Sequence, residues 1–187
     1  MASPRIPLLS KEDALRAGVE CGVPDALAEL NVFRVLLHHP KLARRVCDLL
    51  TGLLFDSKLD VRLRELVILR LGWRTESDYE WTQHWRVALQ LGLPEADCLA
   101  VRDWEASDRF SPADRAILAA TDETLDTGAI SAETWSLCEE HLDDIDERLE
   151  LVVAIGNWRM ISSLLRSLEI PLEEGVESWP PDGLRPG

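Results

Sequence analysis

The chain has 187 residues, of which 46% are hydrophobic and 29% are charged, and its formal net charge at pH 7 is −14. This length favours a single domain over residues 1–187, and the hydrophobic content excludes a disordered chain. Such an excess of acidic groups argues against nonspecific nucleic-acid binding and against an anionic membrane surface. We therefore expect neither nucleic acid nor a membrane among the partners.

The four cysteines of the chain, Cys21, Cys47, Cys98 and Cys138, are widely spaced and form no C-x-x-C pair. This spacing supports neither a redox dithiol nor a zinc knuckle. The N-terminal residues lack the apolar run of a signal peptide, and no apolar stretch is long enough to span a bilayer. These features predict a cytoplasmic protein with reduced thiols.

Hydrophobic periodicity and capping residues predict helices along most of the chain. Residues 1–10 form an N-terminal arm, and residues 173–187, rich in Glu, Pro and Gly, form a C-terminal tail. The predicted helices cover residues 11–18, 25–38, 41–54, 60–73, 78–91, 112–126, 132–141 and 145–169, and a short helix is predicted from about residue 93 to residue 101. Since no period-two pattern appears, the fold class is all-α, a compact bundle of seven to eight helices.

Residues 60–92 hold the candidate site. Glu65 stands in an apolar helical stretch, and Glu80 and His84 are four residues apart, so they share one face of the following helix. Histidine titrates near neutrality, and two carboxylates beside it can fix its tautomer and tune its pKa. This combination points to general acid–base chemistry that needs no cofactor, so we predict none.

We assign His84 as the proton-transferring group, with Glu65 and Glu80 orienting it and Tyr79 donating to the substrate. Aromatic and polar side chains nearby and on the last helix are candidates for binding the substrate: Trp81, Trp85, Asn157, Trp158 and Arg159. An arginine that faces a pocket would suit a carboxylate.

Other interpretations of these residues stay open. Ser77 and Glu80 fit a capping box, in which Glu80 would close its own helix and have no catalytic role. Glu-x-x-x-His with Glu65 could bind a metal ion, although we predict no metal site. Arg62 and Arg64 are expected to face solvent.

The pattern Glu65, Ser77-x-x-Glu80-x-x-x-His84 resembles the carboxymuconolactone decarboxylase and alkylhydroperoxidase D superfamily. In its peroxidase branch the pattern is Glu, then Cys-x-x-Cys-x-x-x-His, so Ser77 and Glu80 stand where the two cysteines would be. The last predicted helix and the Pro-Leu-Glu-Glu-Gly end also resemble that family, over residues 30–175 in all. The resemblance implies a helical bundle that self-associates as a dimer, trimer or hexamer.

The resemblance implies three alternative functions. The preferred one is a lyase of the carboxymuconolactone decarboxylase type that acts on a small carboxylate or lactone. The second is an antioxidant protein that uses a lone cysteine, Cys47 or Cys98, beside His84. The third is a non-catalytic helical assembly that binds a small molecule. A dithiol peroxidase is not expected, because the C-x-x-C pair is absent.

Overall fold

The computed structural model describes residues 4–187, so the first three residues of the predicted arm lie outside the described part. Within these residues the regular secondary structure is entirely helical, which confirms the all-α prediction. The α-helices are α1 (Lys11–Cys21), α2 (Asp25–Ala28), α3 (Asn31–Leu36), α4 (Pro40–Phe55), α5 (Val61–Arg74), α6 (Asp78–Gln90), α7 (Glu95–Ala100), α8 (Pro112–Thr127), α9 (Ala132–His141) and α10 (Ile145–Leu168). A 3₁₀ turn, Val101–Asp103, follows α7. Between residues 4 and 187, none of these helices has both the length and the apolarity needed to cross a lipid bilayer.

The chain forms two compact units. Among the described residues, the first comprises residues 4–56 and 164–176, and the second comprises residues 57–163 and 177–187. All nine candidate site residues belong to the second unit. The prediction of one domain over residues 1–187 stays a prediction.

The predicted helix over residues 25–38 is wrong, because this stretch of the first unit forms two short helices, α2 and α3. The backbone is extended at Leu30, and Asn31 opens α3. The Asn31 side chain donates to the carbonyl oxygens of Pro171 and Leu172, and its backbone N–H donates to Glu173. These contacts with a distant part of the same unit outweigh the local preference for one continuous helix.

Helix α5 is the central element of the second unit, with every residue from Leu63 to Gly72 buried. It packs against α6 and α8. Asp60 caps α5 by accepting from two backbone N–H groups of its first turn. At Gly72 the helix comes so close to α6 that an added Cβ would lie 2.8 Å from the backbone nitrogen of Trp81.

Residues 178–184, here called the C-terminal clasp, are fastened to the start of α6. Ser178 and the backbone N–H of Trp179 donate to the carboxylate of Asp78. The indole N–H of Trp81 donates to the carbonyl oxygen of Pro180. The predicted tail over residues 173–187 therefore has no helix, but Trp179 within it is buried.

Candidate functional site

Glu65 and His84 meet where α5 packs against α6. Glu65 is on the fully buried stretch of α5, and its Oε2 lies 2.8 Å from His84 Nδ1. Since the Glu65 carboxylate can only accept, Nδ1 carries the hydrogen and donates it. The predicted pairing of these two residues is therefore present in the structure.

Glu80 approaches the other side of the imidazole. It is one helical turn before His84 on α6, and its Oε2 lies 3.6 Å from His84 Nε2. Ser77 is the N-cap residue of α6, but its hydroxyl makes no capping bond and has no hydrogen-bond partner among the described residues. The capping-box alternative is therefore wrong, and the Glu80 carboxyl group faces the histidine.

Arg64 is a second partner of Glu65, and the expectation that it faces solvent is wrong. Its side chain is buried, and its Nε and Nη2 each lie 3.0 Å from Glu65 Oε1. Arg62 is partly exposed and forms ion pairs with Asp97 and Asp114. Because α5 is buried from Leu63 to Gly72, the Arg64 guanidinium is withdrawn from water and pairs with a carboxylate.

Trp158 on α10 is a further neighbour of His84. Its indole N–H donates to His84 Nε2 across 3.3 Å, and the two rings meet edge to face. This bond requires a lone pair on Nε2, so it favours the neutral imidazole with its hydrogen on Nδ1. Trp158 thus contacts the histidine directly.

The pKa values of the three titratable groups are shifted by their burial and by one another. Burial raises the pKa of Glu80 to about 7, Glu65 adds to this rise, and His84 opposes it. Burial acts to lower the pKa of His84, but the charge of Glu65 and its hydrogen bond outweigh burial and raise it. Burial likewise acts to raise the pKa of Glu65, yet His84 and Arg64 together lower it.

Because the pKa values of Glu80 and His84 are both raised, either group can hold a proton near neutral pH. With the proton on Glu80, the imidazole is neutral and accepts from Trp158. With the proton on Nε2, the imidazolium faces an ionised Glu80 and pairs with Glu65. A buried pair of this kind can take up or release a proton with little change in free energy, which is the requirement for acid–base catalysis.

The exposed fractions of the side chains show which groups a ligand can reach. The exposed fraction is 12% for His84, 6% for Glu80 and 0% for Glu65. A ligand would therefore contact His84 and Glu80. Glu65 is out of its reach and contacts the Nδ1 side of the imidazole, and Arg64 contacts Glu65.

The remaining predicted residues lie at different distances from this centre. Tyr79 is buried in the first turn of α6. Trp81 and Trp85 pack on each other, and Trp81 also stacks on Trp179 of the clasp, so both belong to an aromatic cluster. In the described part of the chain, the ring that packs against the His84 imidazole is that of Trp158.

On α10, Asn157 and Arg159 flank Trp158 in sequence. Asn157 is buried, and neither polar atom of its amide has a hydrogen-bond partner among the described residues. Arg159 is exposed and donates to the carbonyl oxygen of Thr124. Of the three predicted α10 residues, Trp158 is the one that hydrogen-bonds to His84 in the described part of the chain.

Thiols and metal ligands are the other reactive groups to consider. The four cysteines are free. Cys98 is fully buried, and burial raises its pKa to about 11, which disfavours the reactive thiolate. Burial also raises the pKa of Cys47. Within residues 4–187, no three histidine, cysteine or acidic side chains are placed to hold a metal ion.

Arg64 is the site residue that sequence reasoning missed. A sequence signal for it existed: the stretch Leu63–Leu69 is apolar except for Arg64 and Glu65, so both were candidates for burial as a pair. The aromatic cluster around the clasp carried no such signal, because residues 173–187 show no periodicity.

Comparisons with known proteins concern the sequence and the fold of the chain. Residues 40–123, which include Glu65, Glu80 and His84, match the model of the carboxymuconolactone decarboxylase family. No protein of curated function matches the sequence.

Several solved structures share the fold. The alkylhydroperoxidase AhpD core of an uncharacterized peroxidase-related protein from Ralstonia eutropha JMP134 has 14% identity and a TM-score of 0.75, covering 99% of both chains. A putative antioxidant defence protein AhpD from Agrobacterium tumefaciens has 22% identity and a TM-score of 0.66, over 73% of this chain and 94% of its own.

A third similar structure is a cysteine-to-alanine variant of the debrominase Bmp8 in complex with 2,3,4-tribromopyrrole. It has 14% identity and a TM-score of 0.72, over 89% of this chain and 90% of its own. At these identities the likeness concerns the fold, while the family model covers the residues of the site. Residues 40–123 are therefore similar to the carboxymuconolactone decarboxylase family, and the fold of the chain is alkylhydroperoxidase D-like.

Proposed function

We propose that this protein is a cofactor-free acid–base enzyme of the lyase type, acting on a small carboxylate or lactone. The observation that carries the proposal is the arrangement of two carboxyl groups on opposite sides of one imidazole. Glu65 holds Nδ1 at 2.8 Å, and Glu80 lies 3.6 Å from Nε2.

In the proposed reaction His84 Nε2 exchanges the proton with the substrate. When the substrate loses carbon dioxide, the electron pair of the broken C–C bond takes a proton from Nε2–H. Glu80 then returns a proton to Nε2, because its pKa of about 7 keeps part of it protonated at neutral pH, and a proton from the solvent restores Glu80 before the next turnover. Glu65 and Arg64 keep the ring oriented, and Glu65 stabilises the imidazolium.

The charges around the site support an anionic substrate. With Glu80 protonated, the buried groups comprise the carboxylate of Glu65, the guanidinium of Arg64 and the imidazole of His84. If His84 is protonated as well, the cluster has one positive charge in excess, which an incoming carboxylate would neutralise. The unpartnered amide of Asn157 and the Tyr79 hydroxyl are the candidates for orienting that substrate.

The test is a screen for turnover, followed by substitution of the histidine. Small lactones, aromatic carboxylic acids and 2,3,4-tribromopyrrole are incubated with the protein, and product formation is followed by mass spectrometry. His84→Gln should lower kcat by at least 100-fold, the usual contribution of a general acid–base group. His141→Gln, on α9, is the matched control and should keep the wild-type rate.

Undiminished activity of His84→Gln would overturn the assignment. A ligand that raises the melting temperature without any turnover would instead support a non-catalytic binder. Selective oxidation of Cys47 or Cys98 by peroxide, detected as a sulfenic acid, would support the antioxidant alternative.

A further inference from the structure

Two of the four cysteines lie in the first unit, where α1 packs against α4. Cys21 is the last residue of α1, and it is partly exposed. Cys47 is on α4, four residues after Ala43, and these two residues share a buried face of that helix. Both cysteines are free thiols, and the site around His84 in the second unit uses neither of them.

The Arg44 side chain brings the end of α1 to the turn of α4 that carries Cys47. Its Nε lies 2.7 Å from Asp48 Oδ1, so the guanidinium extends along this helix turn. Its Nη1 donates to the carbonyl oxygen of Gly22 across 2.9 Å. Gly22 is the C-cap residue of α1 and directly follows Cys21. One guanidinium therefore holds together the chain neighbours of Cys21 and Cys47.

The charges in this region agree with a short distance between the two thiols. Burial raises the pKa of Cys47, the charges of Asp48 and Cys21 raise it further, and Arg44 opposes them. Asp48 raises the pKa of Arg44, and the charges of both thiols add to this rise. Because such interactions weaken with distance and are screened beyond about 8–10 Å, the two thiols lie close to each other and to Arg44.

The usual spacing of packed helices permits a disulfide between α1 and α4. Packed helix axes are about 8–10 Å apart, and Cα atoms lie about 2.3 Å from each axis. Facing residues therefore have Cα atoms roughly 3.5–5.5 Å apart, which overlaps the range of about 4.4–6.8 Å that a disulfide requires. Cysteines at facing positions of two such helices can be linked without a large backbone movement.

We propose that Cys21 and Cys47 form a thiol pair that a low-molecular-weight disulfide converts reversibly into an intrachain disulfide between α1 and α4. The partly exposed Cys21 loses its proton and attacks the small disulfide, whose S–S bond breaks as a mixed disulfide forms and one small thiol leaves. Cys47 then loses its proton and attacks the Cys21 sulfur, which releases the second small thiol. The two protein thiols thus lose two electrons and two protons, which the small disulfide gains.

The disulfide fastens the end of α1 to α4 and encloses α2 and α3 in one covalent loop. Disulfides that form in reducing compartments are usually transient and sense the redox state. The pair responds in this way to the balance of thiols and disulfides around the protein. It does not depend on the proposed acid–base reaction, because it belongs to the first unit and uses no residue of the site around His84.

The first experiment incubates the folded wild-type chain with oxidised glutathione and maps the linked peptides by mass spectrometry under non-reducing conditions. The expected product is an intrachain link between Cys21 and Cys47 that reduced glutathione reopens. Cys98 and Cys138 are fully buried and should stay unmodified. The same treatment in urea is the control, and it should give mixed pairings of all four cysteines, because the unfolded chain holds no pair together.

No link between Cys21 and Cys47 in the folded chain overturns the proposal. A mixture of pairings like that in urea, or a link that reduced glutathione cannot reopen, overturns it as well.

The second experiment tests the order of the two steps with single substitutions. Cys47→Ser should stop at the mixed disulfide between Cys21 and glutathione, whereas Cys21→Ser should stay unmodified. His84→Gln should form the link to the wild-type extent, so failure of the proposed catalysis leaves this result unchanged. A mixed disulfide on Cys47 in the Cys21→Ser variant contradicts the proposed order.

Thermal unfolding tests whether the native fold already holds the two thiols together. The linked wild type should melt at a higher temperature than the reduced chain, because the cross-link constrains the unfolded chain. Cys47→Ser treated in the same way is the control and should show no such rise. A melting temperature that does not rise in the linked chain would mean that the fold must be distorted to form the disulfide, which contradicts the proposal.

Discussion

Glu80 is the site residue whose net pKa shift is caused by burial. Its carboxyl group is buried beside His84 and Glu65, and burial raises its pKa to about 7. An unfolded glutamate has a pKa of about 4.3. Between these values the folded protein binds more protons than the unfolded chain, so the free energy of unfolding decreases as the pH rises.

The Glu80→Gln variant tests this linkage. The amide cannot ionise, so the loss of stability between about pH 4.5 and pH 7 should be reduced by up to about 3 kcal/mol. Glu80 also helps to raise the pKa of His84, and losing that contribution changes the pH dependence in the same direction. The stability of the variant relative to wild type should therefore increase from pH 5 to pH 8.

Urea unfolding at both pH values measures this difference for Glu80→Gln and wild type. Glu139→Gln, an exposed position on α9, is the control and should follow wild type at both. A difference between Glu80→Gln and wild type that is the same at pH 5 and pH 8 would mean that Glu80 is already ionised across this range.

At the scale of elements, the site depends on the close approach of α5 and α6. Gly72 permits this approach, because any Cβ there would lie 2.8 Å from the Trp81 nitrogen and 3.1 Å from its Cα. Backbone atoms cannot move aside as the end of a flexible side chain can. The neighbouring residue, Glu80, would be displaced together with them.

Gly72→Ala should therefore destabilise the protein by about 1–3 kcal/mol, the usual cost of overpacking, although alanine is the better helix former. Gly52→Ala on α4 is the matched control, since a Cβ there meets no described atom within 4 Å. It should stabilise the protein by up to about 1 kcal/mol. Thermal unfolding of both variants compares them, and a Gly72→Ala variant as stable as Gly52→Ala would exclude the close contact as a constraint.

The pairing of Glu65 with His84 could be predicted from the resemblance to the family, whose pattern links a glutamate and a histidine at these two positions. For the Glu80 side chain the sequence leaves two alternatives. Its spacing from Ser77 fits a capping bond, and its spacing from His84 fits a contact with the imidazole. The contact of Trp158 with His84 spans 74 residues. No local pattern specifies a contact of that range, because it depends on how α10 packs.

The split of residues 25–38 illustrates the same limit for a whole element. Its apolar spacing fits one helix, but Asn31 bonds to residues about 140 positions later in the chain. Helix propensity is worth only tenths of a kcal/mol per residue, so a few such bonds suffice to break the helix.

At the scale of the whole molecule, the end of the chain returns to the helix that carries the site. Arg102 joins the 3₁₀ turn to the C-terminal clasp through a two-point ion pair with Asp182. Its guanidinium also lies 4.6 Å from the ring centre of Trp73 and 4.9 Å from that of Trp81. The clasp thereby holds the first turn of α6, where Glu80 lies.

Trp179→Ala should remove the largest apolar contact of the clasp and destabilise the protein by about 3–5 kcal/mol, as is usual for a buried tryptophan. It should also let the amides at the start of α6 exchange faster with deuterium. The backbone N–H of residue 179 donates to Asp78 and Thr82, and without the buried indole it is no longer held in place. Leu184→Ala, at an exposed position of the same segment, should change neither quantity. Hydrogen–deuterium exchange with mass spectrometry compares the three proteins peptide by peptide. If exchange in residues 78–84 is the same in Trp179→Ala and wild type, the clasp does not hold this helix turn, and the position of Glu80 rests on the packing of α6 against α5 alone.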